Sequence, residues 1–161
     1  MKKISVIFFF SLLLLSSGCE SDNWVDRSSE IVVVALSGKW EGLESSDRIL
    51  FTGDDIAWFD LKTKELRFKN GLLRKKKTAH TKILFKIAGK DLFLADWVTG
   101  PVSGQYEDLV LYYDSEKQKF YLYESYPEKL DTQAVRLNTE IRSENWGAFI
   151  YQLGREGRLK E

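Results

Sequence analysis

From residue 31 onward the chain carries short apolar runs, rich in β-branched and aromatic residues and separated by turn-forming ones. That pattern predicts strands joined by tight turns. Residues 31–34 and 49–52 read as the first two strands, followed by a turn at Gly53-Asp54-Asp55. Residues 56–61 and 65–69 form a hairpin about Lys62-Thr63-Lys64. Asn70-Gly71 is the strongest turn signal, because both residues tolerate the positive φ of a type I′ hairpin. Residues 72–87 read as one long strand with Ile83, Phe85 and Ile87 on one face, turned at Ala88-Gly89-Lys90 into a strand over 91–97. A looser segment with Gly100-Pro101 and Gly104 follows. Residues 106–113 and 119–124 make a further hairpin, Pro127 ends it, and 133–137 read as a last strand. The hairpins IAWFDLKTKELRF and LVLYYDSEKQKFYLY share an apolar strand, an Asp, a charged turn and an aromatic return. Trp146, Phe149, Ile150 and Leu153 change the period to that of a helix over 143–153, with Ser143 as N-cap and Gly154 as stop. The fold expected is mainly β: an antiparallel up-and-down meander of roughly seven to nine strands, barrel-like or strongly curved, with one C-terminal α-helix. An open sheet on the helix or a small sandwich remains an alternative.

The first thirty residues follow a different plan. Lys2 and Lys3 precede an apolar stretch from Ile4 to Leu15, then Ser16, Ser17, Gly18 and Cys19. The stretch is too short to span a bilayer comfortably and reads as a signal peptide over 1–18. Ser17 and Gly18 directly before the single Cys resemble the lipobox of bacterial lipoproteins, although Ser16 stands where that family usually has Leu. The resemblance implies diacylation of the Cys19 thiol, cleavage before it, and a protein anchored to a membrane by its acyl chains. Residues 19–30 then serve as lipidated Cys and flexible tether, and 31–161 as a single domain. The localisation implied is the bacterial cell envelope, at the outer membrane, with the periplasmic and surface-facing sides both open. Glu20 and Asp22 are similar to the surface-export signals of some lipoproteins.

Charge narrows the partners. The full chain balances 24 Lys+Arg against 24 Asp+Glu, and loss of Lys2 and Lys3 with the leader leaves a net charge of −2. Such a domain is not built to neutralise nucleic-acid phosphates or to be drawn to anionic headgroups. One Cys and one His give no disulfide framework and no Cys/His zinc set, and the residues imply no metal and no cofactor.

Gly38-Lys39-Trp40 stands at the head of the meander and a helix follows its last strand. That arrangement resembles the lipocalin and wider calycin families. The resemblance implies a G-x-W that closes one end of a barrel, with Gly38 and Trp40 structural and Arg136 or Arg142 packed on the Trp. It also implies a binding protein for a small apolar or amphiphilic ligand.

Catalytic groupings are sparse. His80 sits behind Arg74, Lys75, Lys76 and Lys77, and reads as an exposed strand or loop residue. The basic run itself reads as a solvated strand edge. Asp54 and Asp55, or Glu107 and Asp108, are sequence neighbours that a strand would point to opposite faces. The chain is therefore expected not to be an enzyme. Its aromatics are more informative, because the strands around Tyr112 and around Tyr121 and Tyr123 are apolar on both faces. These three tyrosines are the candidate ligand residues, together with Trp58. Cross-strand packing without any ligand accounts for the same pattern, and Trp40, Trp58 and Trp97 also read as core. The alternative function is an interaction module that contacts another envelope protein or a glycan through the aromatic hairpin.

Overall fold

The computed structural model describes residues 29–37, 44–69 and 81–161. The alternating pattern folds into β1 (Ile31–Ser37), β2 (Glu44–Thr52), a 3-10 turn (Gly53–Asp55), β3 (Ile56–Asp60) and β4 (Glu65–Phe68). After these come β5 (Thr81–Ile87), β6 (Lys90–Thr99), β7 (Val110–Asp114), β8 (Lys119–Tyr123), α1 (Gln133–Arg155) and β9 (Leu159–Lys160). Among the described residues the strands form one nine-stranded sheet in the order β2-β1-β5-β6-β7-β8-β4-β3-β9. β2 and β3 stand near opposite ends of that order, yet only the three residues of the 3-10 turn separate them in the chain. Such a link reaches about 10–14 Å, so the sheet has to roll up until its ends meet. Phe51 of β2 packs edge-on against Phe68 of β4 at 4.9 Å, across the curl. The expected curved, mainly antiparallel sheet with a C-terminal helix is what forms, as a strongly curled half-barrel.

Two joins are parallel, β6 with β7 and β3 with β9, where a plain meander predicts none. The loose segment around Gly100 and Pro101 supplies the crossover between β6 and β7, so spacing alone did not forbid it. The second correction concerns the helix. Residues 133–137, read as a last strand, are its first turns, and Ser143 lies in its interior. Thr132 is the N-cap, its hydroxyl accepting from the Val135 N–H at 3.2 Å. The helix also runs one residue past Gly154. Gly157, at φ +67°, ends it, and the Arg158 N–H closes back on the Leu153 carbonyl at 2.8 Å.

The concave face is filled from within. Phe149 of α1 touches Phe85 and Phe93 at 5.6 Å each and Phe59 at 6.3 Å. Trp146 adds an edge contact to Phe59 at 5.9 Å. The same helix is pinned to β6 by Asn145, which donates to the Leu92 carbonyl at 2.7 Å, and to the segment ahead of β7 by Asn138, which donates to the Glu107 carbonyl at 2.9 Å. The two similar hairpins share one turn device. Asp60 Oδ1 accepts from the N–H groups of Lys62 and Thr63, and Asp114 Oδ1 from those of Glu116 and Lys117. Four residues after each Asp, Lys64 and Gln118 take φ of 58° and 56°. The likeness between them is turn chemistry.

Cys19 and the leader, Gly38 and Trp40, Asn70-Gly71, Arg74 to Lys77 and His80 lie outside the described residues, as does the first half of the long strand read over 72–87.

Candidate functional site

The convex face carries five of the chain's seven tyrosines. Tyr121 and Tyr123 alternate with Phe120 and Leu122 along β8, so the phenols lie on the face away from the hydrocarbon side chains, Tyr123 half-buried and Tyr121 buried beneath its neighbours. Tyr112 of β7 is the cross-strand partner of Tyr121. The rings of Tyr121 and Tyr123 stack at 5.2 Å and 6°, and Tyr112 follows Tyr123 at 6.4 Å and 27°. Tyr126 continues the row at 5.0 Å from Tyr112, and Tyr106 meets Tyr126 at 6.5 Å. Tyr106 and Tyr126 are held by an isolated bridge in which each backbone N–H donates to the other's carbonyl at 2.9 Å. At the other end the Lys117 ammonium lies 5.9 Å from the Tyr121 ring centre.

The structure thus brings Tyr112, Tyr121 and Tyr123 together. It adds Tyr126 and Tyr106: the strand read over 106–113 is regular only from Val110, and Tyr106 pairs instead with Tyr126 in a bridge outside the regular strands. Trp58 is not part of the row. It is half-buried on the convex side of β3, opposite Arg67 of β4, with the Lys160 ammonium 3.5 Å from its ring centre. Its expected place in the core is corrected accordingly, whereas Trp97 is buried.

The phenols of Tyr106, Tyr112 and Tyr123 stay protonated near neutrality. Burial, then the neighbouring Tyr126, pushes Tyr112 up to about 12. Burial also raises Tyr123, with Glu128 second, and Tyr106, with Asp96 second. These three therefore offer flat apolar bodies with hydroxyl tips, and no phenolate.

Two polar clusters lie elsewhere, and both tie the fold together. Arg158 joins Asp54 at 2.7 Å and Glu156 at 3.3 Å. The Ser29 hydroxyl lies 2.7 and 2.8 Å from the two Glu156 oxygens, and the Ser29 N–H donates to Asp54 at 2.8 Å. The Ser29 N–H, ahead of Arg158, holds the Asp54 carboxyl below its usual range. This clasp fastens the start of β1 and the turn after β2 to the segment leading into β9, across the gap in the half-barrel. Gly53 is required beneath it, since a Cβ there would fall 1.9 Å from the Ser29 hydroxyl. In the second cluster buried Arg142 pairs with Asp108, whose Oδ1 also accepts from the Leu109 N–H. Arg136 instead forms an exposed two-pronged pair with Asp131 at 2.7 and 2.8 Å. Comparison with family models, curated proteins and solved structures finds no match to this chain.

Proposed function

We propose that this chain is a non-enzymatic binding lipoprotein of the bacterial cell envelope, held at the outer membrane by acyl chains on Cys19, whose convex tyrosine row binds a glycan. The observation that carries the reading is the run of rings Tyr121–Tyr123–Tyr112–Tyr126 on one sheet face. Sugar rings present C–H faces to stack on aromatic bodies and hydroxyls to bond the phenol tips. The non-enzymatic part draws support from Asp54, Glu156 and Asp108, each engaged by donors of its own chain.

A second reading, a small apolar or amphiphilic ligand held as in lipocalins, rests on the curl itself, since a half-barrel is compatible with that kind of binding fold. Its difficulty is that Phe51, Phe85, Phe93 and Phe149 already fill the concave face.

The tests separate these readings. On a glycan array, Tyr112→Ala and Tyr123→Ala should each weaken the strongest signals at least about tenfold. A glycan profile unchanged in both variants refutes the tyrosine site. Native mass spectrometry of the protein from its own host, with co-purifying lipid and no glycan binding, would move the assignment to the second reading. Cys19→Ala should abolish fatty-acid labelling, and persistent labelling defeats the anchor.

A further inference from the structure

The helix α1 has two apolar stripes, and the fold uses one. Val135, Phe149 and Leu153 are buried against the sheet. On the opposite side Leu137, Ile141 and Tyr151 are 53, 71 and 68 % exposed, and exposed Ala148 lies between the last two. A helix packed on one face normally turns a polar face to water. Here Leu137, Ile141, Glu144, Ala148, Tyr151 and Arg155 alternate by four and three residues. That is the narrow seam of a helix that pairs with another helix.

The glycines agree. Each costs about 1 kcal/mol relative to Ala in a helix interior. Among the described residues a Cβ at Gly147 would meet nothing within 4 Å, and one at Gly154 only Leu159 at 3.9 Å. Nothing among the described residues therefore demands glycine at either place, while on the flank of the seam they let a second backbone come close.

Charge identifies the occupant. The exposed seam and its flank carry Glu140 and Glu144 in the N-terminal half, where Arg136 is already paired with Asp131, and Arg155 at the C-terminal end. An antiparallel copy sets Ile141 against Tyr151 and Leu137 against Arg155, beside Glu140, and moves Glu144 away from its own equivalent onto Ala148. A parallel copy would stack like charges. A membrane surface fits less well, because helices that lie on bilayers are rich in Lys and Arg on their polar flank. We propose that the exposed face of α1 pairs antiparallel with α1 of a second copy of this chain.

The test is sedimentation of the full chain in detergent. The wild type should sediment as a dimer, and Ile141→Glu should weaken self-association at least about tenfold. Its far-ultraviolet spectrum should be unchanged, because this side chain takes no part in the core. Glu140→Arg should also weaken the dimer, and the double variant Glu140→Arg with Arg155→Glu should restore it. A wild type that stays monomeric overturns the proposal. So does a dimer indifferent to Ile141→Glu, or a charge swap that fails to rescue. If the monomeric chain instead binds vesicles of neutral lipid through Ile141, the face is a membrane contact and the second copy is refuted.

Discussion

Replacing Phe149 by Ala removes the side chain that joins helix to sheet. It is fully buried, with ring contacts to Phe59, Phe85, Phe93 and Trp146 between 5.6 and 6.3 Å. Burial of a Phe contributes roughly 1.5–3 kcal/mol by transfer alone. The four surrounding rings are themselves held in the sheet and helix and cannot easily close the space, so a cavity term adds to it. Together these place the loss at about 3–5 kcal/mol, the upper range for Phe→Ala. For a chain of this size that corresponds to a fall in Tm of about 10 °C or more. Urea unfolding followed by tryptophan fluorescence and by circular dichroism measures it, with Ile141→Ala as the control. Ile141 lies on the same helix but outside the core, and its substitution should cost under about 0.5 kcal/mol in the monomer. A Phe149→Ala loss below about 1 kcal/mol, or equal losses for the two variants, would refute the docking of α1 into the curl.

Gly53→Ala should destabilise by at least about 1–3 kcal/mol, because its Cβ collides with Ser29 and opens the clasp; an unchanged urea midpoint would contradict that geometry. The lowered Asp54 carboxyl contributes stability that is present above its unfolded value and is lost as pH falls through the lower folded one. Asp54→Asn should therefore reduce the loss of stability on acidification, seen in urea midpoints measured between neutral and acid pH; parallel wild-type and variant curves would count against it. Tyr112, raised to about 12, contributes stability that is complete below the ordinary phenol range and is lost as pH rises toward that value. Phenolate absorbance of the folded protein should lack three early-titrating groups, Tyr106, Tyr112 and Tyr123, and Tyr126→Phe should bring Tyr112 down in pH, though burial, the larger cause, keeps it above the usual range.

Strand positions were legible because their causes are local. Gly89 at φ +78° turns β5 into β6, and Asp60 and Asp114 build their turns from their own neighbours. The parallel joins were not legible, because they depend on which sheet edges meet after the chain has rolled up. The early start of α1 was hidden for a related reason. Only Val135 of its first five residues is buried, so neither strand nor helix periodicity stands out there, and the Thr132 cap decides. The candidate site was half legible: Tyr112, Tyr121 and Tyr123 follow from strand alternation, while Tyr106 and Tyr126 need the fold to bring them together.

The division of aromatic residues between the two sheet faces links fold to function. Phe51, Phe59, Phe68, Phe85, Phe93 and Phe120 all face the core, and the convex row is made of tyrosines. A buried phenol has to find a hydrogen-bond partner and a phenyl ring does not, so a curled sheet sorts the two types by face. Tyr113 is the exception, packed beside Phe120 on the inner side and only partly buried. Sorting explains why hydroxyl-bearing rings lie outside, but not why they are rings. Serine or threonine would satisfy an outward strand position with less apolar surface left in contact with water. The stacking of Tyr121 on Tyr123 and of Tyr123 on Tyr112 recovers part of that cost by covering faces pairwise. Stacking leaves Tyr121 buried, and what it leaves uncovered on the half-buried Tyr112, Tyr123 and Tyr126 is the surface available to a ligand.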